Sequence, residues 1–201
     1  MKKGPSQYFE QQALAQGYKH IAGVDEVGRG SLAGPVIAAA VILPSDHGIS
    51  GLDDSKRLTP KKREVLYTQI YKVALAIGIG SVEPQVIDEI NILQASLVAM
   101  KKAIEGLKPQ PHFLLVDGNL KQITYIPQKS IVGGDGLSES IAAASIVAKV
   151  FRDNLMKNYN DQFPQYRLDA NKGYPTPDHL EALKIYGISK IHRRTFHGVM
   201  D

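Results

Sequence analysis

The chain has 201 residues, of which 43% are hydrophobic and 22% charged, and this composition is typical of a globular protein. It contains no cysteine, which excludes disulfide bonds, thiolate nucleophiles and cysteine-ligated metal sites. The net charge of +4 is compatible with a polyanionic partner, and no apolar run approaches the ~18 residues of a membrane helix, so we expect a cytoplasmic protein.

The first part of the chain alternates predicted strands and helices. Apolar runs at 21–27 and 35–43, separated by a glycine-rich turn, predict a hairpin or two neighbouring strands. Thr59 and Pro60 have the residue types of a helix N-cap and first helical position, and a helix is predicted to follow them. A third strand is predicted over 73–82, where two glycines indicate tight packing.

The middle of the chain predicts a long helix followed by two short strands. Apolar residues recur at three- and four-residue spacing over 83–107, which is the period of an amphipathic helix. Glycine and proline mark its end. Two strands are then predicted at 112–119 and 128–132, and the first of them ends in a turn.

The last part of the chain combines a long helix with a basic tail. A helix over 141–159, capped by Ser138 or Ser140, is almost wholly apolar in its first half, which should lie against the sheet. From residue 162 the sequence is rich in Lys, Arg, His and Tyr, with one helix predicted over 177–186. This order of elements predicts an α/β domain with a mixed sheet and a basic C-terminal part beside it.

Carboxylates stand at the ends of these predicted elements. Side chains at strand ends and helix starts converge in α/β domains, so these oxygens predict a site for a hard cation such as Mg²⁺ or Mn²⁺. Each residue also has a plainer interpretation, because acidic residues are common at solvated strand ends, in turns and at helix starts. The residues concerned are Asp25 and Glu26 at the end of the first strand, Asp117 at the end of the fourth, and Asp135 ahead of the long helix.

The adjacency of Asp25 and Glu26 poses a geometric problem. Consecutive residues of a regular strand point to opposite faces of the sheet, so both carboxylates cannot reach one metal ion from an undistorted strand. The glycines at 28 and 30 permit a sharp bend directly after the pair. The sequence leaves open how Glu26 turns toward the side of Asp25.

Three loops carry candidate substrate contacts. The Gly-Arg-Gly segment at 28–30 permits close approach of the backbone to a ligand and offers Arg29 to a phosphate, although it would also suit any tight turn. Five cations within 56–63 indicate either contact with a nucleic-acid backbone or a solvated loop. Tyr174, two residues after Lys172, either stacks on a base or sugar or packs in the core.

Seven sequence blocks, in their order along the chain, resemble the ribonuclease HII family, the type 2 ribonucleases H. They are "GVDEVGRGSLAGPV", "DDSKRLT", "NILQASLVAM", "LLVDGN", "GGDGLSESIAAASIVAKVFRDNLM", "NKGYPT" and "HRRTF", and the resemblance extends from about Tyr18 to Phe196. It implies an RNase H-like fold, a mixed five-stranded sheet flanked by helices with a C-terminal helical extension. We therefore expect an N-terminal segment at 1–17, a catalytic domain at 18–160 and a basic helical extension at 161–201 packed on that domain.

The resemblance also implies an activity and a set of site residues. The family consists of metal-dependent endoribonucleases that cleave the RNA strand of RNA–DNA hybrids and cut 5′ to a single ribonucleotide in duplex DNA. Hydrolysis with two Mg²⁺ or Mn²⁺ ions leaves 3′-hydroxyl and 5′-phosphate ends. Family positions for metal binding and catalysis match Asp25, Glu26, Asp117 and Asp135, and those that recognise the ribose 2′-hydroxyl match Gly28, Arg29, Gly30 and Tyr174. Ser55, Lys56 and Lys172 are further expected substrate contacts.

Some features depart from this pattern or permit another function. Ser31, Gly133 and Asn171 stand where proline, lysine and histidine are common in the family. A non-catalytic nucleic-acid-binding module of the same fold is one alternative, which the complete carboxylate set disfavours. A metal-dependent phosphatase of small molecules is a second, which leaves the cationic blocks unexplained. The sequence indicates no obligate protein partner, and a monomer is expected.

Overall fold

The computed structural model describes residues 4–200, so the first three residues of the predicted N-terminal segment and the last residue of the predicted extension lie outside the described residues. Five strands form one sheet in the order β3-β2-β1-β4-β5. Strand β2 is antiparallel to both of its neighbours, β3 and β1, whereas β4 runs parallel to both β1 and β5. The predicted mixed five-stranded sheet is thereby confirmed. The strands are β1 (Ile21–Val27), β2 (Val36–Ile42), β3 (Ala76–Val82), β4 (Phe113–Asp117) and β5 (Gln128–Ile131).

Helices cover both faces of this sheet. One face packs on α3, and the other packs on α2 and α4. None of the helices within residues 4–200 combines the length and apolar content that a membrane span requires. The helices are α1 (Tyr8–Ala15), α2 (Pro60–Val73), α3 (Pro84–Glu105), α4 (Glu139–Gln162), α5 (Leu168–Asn171) and α6 (Pro177–Tyr186), with short 3₁₀ helices at Gly134–Gly136 and Pro164–Tyr166.

Strand β2 shows why the sheet is so apolar. All seven of its residues are buried, because Ala38 and Ala40 face the α3 side while Ile37, Ala39 and Val41 face the α2 and α4 side. A strand covered on both faces has no position for a polar side chain, which explains the continuous apolar run in the sequence.

The glycines of β3 allow α3 to approach the sheet closely. A Cβ atom on Gly78 would lie 2.0 Å from the carbonyl oxygen of Ala103, and one on Gly80 would lie 2.0 Å from that of Ala99. Both distances are far inside van der Waals contact, so only glycine fits. The tight packing predicted from these two glycines is confirmed.

Three differences between the predicted and the observed elements have a local structural cause. The strand predicted from residue 73 begins only at Ala76, since α2 continues through Val73. The single helix predicted over 83–107 is kinked at Asn91, which adopts φ 66° and ψ 165° and whose side chain accepts hydrogen bonds from two following backbone N–H groups. Helix α4 begins two residues before its predicted start, and Ser138 rather than Ser140 caps it by accepting from the N–H of Ile141.

The N-terminal segment contains a helix that the sequence pattern did not predict. Helix α1 buries only Ala13, so it has no periodic apolar stripe from which a helix could be recognised. It is held instead by Glu10, whose Oε1 accepts hydrogen bonds from the hydroxyls of Ser138 and Ser140 at 2.6 and 2.7 Å. Tertiary contacts with the start of α4 therefore place this helix.

The C-terminal part packs on the end of α4 and on the loop after β1. Its apolar cluster joins Leu32 and Met156 to Tyr166, Leu168 and Leu183. The predicted helix over 177–186 is confirmed as α6. The predicted domain boundary after residue 160 falls within the last turn of α4 and stays a prediction. This packing brings the C-terminal loops beside the carboxyl end of β1.

Candidate active site

The sheet topology brings the predicted acidic residues to one edge. Strands β1 and β4 are parallel neighbours in which Val24 pairs with Val116, so the next residues, Asp25 and Asp117, end side by side. Asp135 lies in the 3₁₀ helix between β5 and α4. Parallel strands place their carboxyl ends at the same edge, which is the convergence that the sequence predicted.

Asp25 lies in an environment that disfavours its ionised form. It is only 5% exposed, and its pKa is raised well above the ordinary value, first by burial and then by the negative charges of Glu26, Asp117 and Asp135. The hydroxyl of Ser145 on α4 opposes that shift. Ser145 and the N–H of Glu26, which donates to Asp25 Oδ1 at 2.7 Å, therefore compensate the charged form only in part, and a bound cation would relieve the remainder.

Glu26 lies beside Asp25 without a distortion of the strand. Strand β1 keeps its register through Val27, so the bend at the glycines comes after the acidic pair rather than within it. The Glu26 carboxylate lies 3.2 Å from the Arg29 guanidinium, while burial raises its pKa and Arg29 opposes that rise. Both carboxylates line one cavity at the open end of β1.

The other two carboxylates each have a partner in the protein. Asp117 Oδ1 accepts a hydrogen bond of 2.7 Å from the N–H of Gly134 and so joins β4 to the 3₁₀ helix. Asp135 Oδ2 lies 3.5 Å from the Lys56 ammonium, which is also 3.8 Å from Asp54. The pKa of Asp135 is raised, chiefly by burial and then by Asp54 and Asp117.

The four carboxylates share one electrostatic environment without forming a closed ligand set. Within residues 4–200, no three acidic or histidine side chains form a group that could hold a metal ion as they stand. The donors nevertheless fit a hard divalent cation, since they are carboxylate oxygens and since burial and acidic neighbours disfavour the charge on Asp25. Asp25, Glu26, Asp117 and Asp135 are the residues that would hold it.

The cavity beside Asp25 has a volume of about 430 Å³ and combines acidic and cationic groups. Five of the eleven predicted site residues line it. The other six are not among its lining residues: Asp117, Asp135, Gly28, Arg29, Gly30 and Lys172. Four further residues line it: Arg63 belongs to the predicted cationic segment 56–63, whereas Val27, Ser145 and Lys149 were not predicted from the sequence as site residues. The predicted residues that line it are Asp25, Glu26, Ser55, Lys56 and Tyr174.

Ser55 and Ser145 connect the cavity wall to α4. Their hydroxyls lie 2.9 Å apart, and Ser55 is 3% exposed. Arg63 donates to the carbonyls of Ser55 and Leu58 at 2.8 and 2.6 Å, which fixes the same loop. A sequence signal for Ser145 exists, because a polar residue within the apolar half of a helix must find a partner. Arg63 is one of the five cations at 56–63, and nothing in the sequence distinguishes it from the other four.

The remaining predicted contacts lie around this cavity. Lys172 lines an adjoining cavity of about 320 Å³, together with Lys149, Lys157 and Arg63, and its ammonium donates to the carbonyl of Asp169. Tyr174 is half-buried, with its ring centroid 5.8 Å from the Lys149 ammonium. The tyrosine thus stands between the carboxylates and a cationic surface.

The three departures from the family pattern have distinct environments. Asn171 is buried, donates to the carbonyl of Tyr166 at 2.6 Å and accepts from the N–H of Gly173 at 2.8 Å, so it shapes the loop before Tyr174. Gly133 has a φ of 65°, a conformation that favours glycine over lysine. Ser31 is fully buried. None of the three replaces a carboxylate of the site.

Comparison with known proteins identifies close relatives across nearly the whole chain. The family model for Ribonuclease HII matches residues 22–199. A Ribonuclease HII of Desulfitobacterium hafniense (strain DSM 10664 / DCB-2) is 55% identical over 192 residues, which cover 96% of this chain and 74% of that protein. One of Geotalea daltonii is 56% identical over 193 residues, which cover 96% and 89% of the two chains.

Solved structures of two archaeal proteins share the fold. The ribonuclease H2 of Pyrococcus horikoshii OT3 superposes with a TM-score of 0.75 and 27% identity, covering 90% of this chain and 96% of that one. The RNase HII of Archaeoglobus fulgidus, solved in complex with PCNA, superposes with a TM-score of 0.77 and 26% identity, covering 89% and 95%. The predicted RNase H-like architecture is confirmed.

Proposed function

Because the chain belongs to the ribonuclease HII family and is an endoribonuclease that acts on RNA–DNA hybrids, we propose that it also cuts on the 5′ side of a single ribonucleotide in duplex DNA. One observation carries the proposal: Tyr174 lines the same cavity as Asp25 and Glu26. A group able to bind a ribose hydroxyl therefore stands beside the groups suited to hydrolysis.

We propose that two Mg²⁺ or Mn²⁺ ions bind to Asp25, Glu26, Asp117 and Asp135. Ions held by these residues would supply activation of a water molecule and stabilisation of the leaving 3′-oxygen, and the products would carry 3′-hydroxyl and 5′-phosphate ends. The raised pKa of Asp25, caused by burial and by its acidic neighbours, supports this assignment. In this proposal the four carboxylates act in catalysis through the metal ions that they hold.

Cations around the cavity would bind and orient the phosphodiester. Lys56, Arg63 and Lys149 line it, and Lys172 lines the adjoining cavity. Their positive charges attract the nucleic-acid backbone from solution, which makes the affinity dependent on salt. Lys56 also lies over Asp135 and moderates the negative charge of the site. Arg29, held beside Glu26, is a further phosphate contact in this proposal.

Selection of ribose over deoxyribose would depend on Tyr174 and on the backbone of 28–30. The 2′-hydroxyl is the local difference between RNA and DNA at a junction, and it both donates and accepts hydrogen bonds. A group built to bind that hydroxyl is left unpaired by deoxyribose, at a cost of about 1–3 kcal/mol for each such group. Several groups acting together would give strong selection.

A duplex that carries one ribonucleotide tests the proposed function. We expect Mg²⁺ or Mn²⁺ to support a single cut 5′ to that ribonucleotide, with a 3′-hydroxyl on the upstream fragment. An all-DNA duplex of the same sequence is the control substrate and should stay intact. The Asp117→Asn variant should lose cleavage and retain binding, whereas a non-catalytic binding module would be unaffected by that change. Absence of the 5′ cut with both metals would contradict the proposal.

Three further expectations accompany this function. The protein is expected to be a monomer without an obligate protein partner, and to reside in the cytoplasm. These stay predictions, as does the use of either Mg²⁺ or Mn²⁺. Light scattering of the purified chain would measure the first of them directly.

A further inference from the structure

Two arginines lie fully buried behind the loop after β1 and the loop before α6, both of which lie beside the active-site cavity. Arg152 on α4 and Arg193 beyond α6 are both 0% exposed. Within residues 4–200 neither guanidinium forms an ion pair with a carboxylate. Burial, and then the positive charge of Arg152, lower the pKa of Arg193 to about 9. Two like charges are therefore buried near one another.

Arg152 binds backbone carbonyls from two separate loops. Its Nε and Nη2 donate to Pro35 and Ala33, both at 3.0 Å, and its Nη1 donates to Lys172 at 2.9 Å. Ala33 and Pro35 belong to the loop between β1 and β2, whereas Lys172 belongs to the loop before α6. One guanidinium thus spans the two loops.

Arg193 binds the same β1–β2 loop from the other side. Its Nε and Nη2 both donate to the carbonyl of Gly34, at 3.0 and 2.8 Å, and its Nη1 donates to that of Arg29 at 3.0 Å. The Arg29 carbonyl lies within the 28–30 segment proposed to contact ribose. Arg193 therefore holds that segment directly through its backbone.

The two loops also contact each other and Arg152. The N–H of Leu32 donates to the carbonyl of Gly173 at 2.7 Å. The Arg152 guanidinium lies 5.6 Å from the ring centroid of Tyr174. Gly28 has a φ of 91°, and a Cβ atom there would lie 2.2 Å from Arg152 Nε. Only glycine at this position leaves room for the Arg152 side chain where it lies. The 28–30 backbone and Tyr174 are consequently parts of one assembly.

Apolar side chains would have filled this space without the cost of burying charge. A buried guanidinium loses its hydration, and replacing buried ions with apolar residues of similar volume is often neutral or stabilising. Only a planar group with several N–H donors, however, can hold carbonyls of two loops at a defined separation. We propose that Arg152 and Arg193 are positioning residues that set the distance between the 28–30 backbone and Tyr174, and thereby the discrimination between ribose and deoxyribose. The inference rests on the proposed function, because it assigns these two groups to ribose recognition.

Binding to two duplexes tests this inference. The variants Arg152→Lys and Arg193→Lys keep the positive charge and lose the planar set of donors, and Arg194→Lys, at the exposed neighbouring position, is the matched control. All are made in the Asp117→Asn background, so that substrate stays intact in Mg²⁺. The measured quantity is the ratio of Kd values for an all-DNA duplex and for the same duplex with one ribonucleotide.

We expect the preference for the ribonucleotide duplex to fall about tenfold or more in both variants, the loss typical of one broken buried hydrogen bond, and to stay unchanged in Arg194→Lys. Affinity for the all-DNA duplex should change little, whereas a general loss of structure would weaken both. An unchanged preference in either folded variant overturns the inference. A background protein without any preference would instead contradict the proposed function.

Circular dichroism establishes which variants are folded. If Arg193→Lys does not fold, Arg193→Gln removes the buried charge and retains two amide donors, and the same fall in preference is expected of it. If neither variant at position 193 folds, Arg193 is part of the general core and its positioning role is rejected.

Discussion

Burial acts in opposite directions on two regions beside the active-site cavity, the carboxylate cluster at the end of β1 and the Arg and His cluster of the C-terminal part. It raises the pKa of Asp25, and it lowers those of His192 and Arg193. The basic cluster is satisfied within the protein, because Arg152 and Arg193 bind carbonyl oxygens. In the acidic cluster, the hydrogen bonds that Asp25 accepts from the Glu26 N–H and from Ser145 do not offset its burial and its acidic neighbours, and a bound cation would do so.

The two histidines of the basic cluster also have their hydrogen-bond partners within the protein. His192 Nδ1 accepts from the N–H of Ser189 at 3.0 Å, so its Nε2 carries the proton and donates to His179 Nε2 at 3.1 Å. His179 Nδ1 in turn donates to the carbonyl of Tyr174 at 3.0 Å. Two neutral imidazoles thus connect the C-terminal segment to the loop of Tyr174, and protonation of the pair would break this chain.

The largest expected effect is a loss of cleavage activity, and it comes from the acidic cluster. Replacing Asp25 with Asn removes a charge from the acidic cluster, and we expect cleavage of an RNA–DNA hybrid to fall about a thousandfold or more, since metal-assisted stabilisation of the transition state contributes several kcal/mol. The exposed Asp46→Asn is the matched control and should keep wild-type activity. Substantial cleavage by Asp25→Asn at saturating Mg²⁺ would contradict the assigned role.

The second effect tests the basic region through pH. Burial, followed by the charge of His179, lowers the pKa of His192 from 6.5 to about 4. The unfolded state therefore binds a proton that the native state rejects, so this contribution to stability is full above pH 6.5 and is lost as the pH falls toward 4. Its size is on the order of 3 kcal/mol.

Urea unfolding at pH 7.5 and pH 5 measures this effect. The wild type should lose stability between the two values, and His192→Gln, which can still accept and donate at this position, should lose less. Comparison of the two proteins cancels the contributions of other titrating groups, including the opposite one from Asp25. Parallel curves for the two proteins would show that His192 does not titrate as the structure indicates.

A third and smaller effect concerns the tyrosine that joins the two regions. Tyr174→Phe removes one hydroxyl, and we expect cleavage at a single ribonucleotide to fall about tenfold, as for one lost buried hydrogen bond. Mg²⁺ binding, measured by calorimetry, should be unchanged. Tyr186→Phe on α6, where the side chain is exposed, is the control. An equal loss of metal binding and cleavage would assign Tyr174 to the metal site instead.

The smallest effect is a gain of stability without metal. Because the folded-state pKa of Asp25 is raised, the native state binds a proton that the unfolded state has released, and stability falls as the pH rises above the unfolded pKa. Asp25→Asn removes this penalty, so we expect a higher Tm at pH 7, by ~2–4 °C for each kcal/mol of stability gained. The variant should also gain less from added Mg²⁺ than the wild type. A lower Tm than the wild type in chelator would show that the Asp25 charge is compensated within the protein.

Local chemistry made most of the fold predictable. The apolar runs marked the strands because both faces of the sheet are covered, and Thr59, Ser138 and Thr176 cap α2, α4 and α6 as side-chain acceptors. Helix α1 was missed because Glu10 binds Ser138, which lies 128 residues away in the chain. The kink at Asn91 was also missed, although its hydrogen bonds from Leu93 and Gln94 are local, because the apolar period continues on both sides of it.

The sequence by itself determined the acidic set and the glycine-rich turn beside it, because charges at strand ends and the conformations open to glycine are properties of neighbouring residues. Only the tertiary structure decided that Ser145 lies beside Asp25 and that Arg152 and Arg193 hold the same loop after β1. Arg152 binds a carbonyl 117 residues away in the chain, and Arg193 one 159 residues away. Such pairings leave no local pattern, since a guanidinium binds any carbonyl that the fold brings to it, and every residue has one.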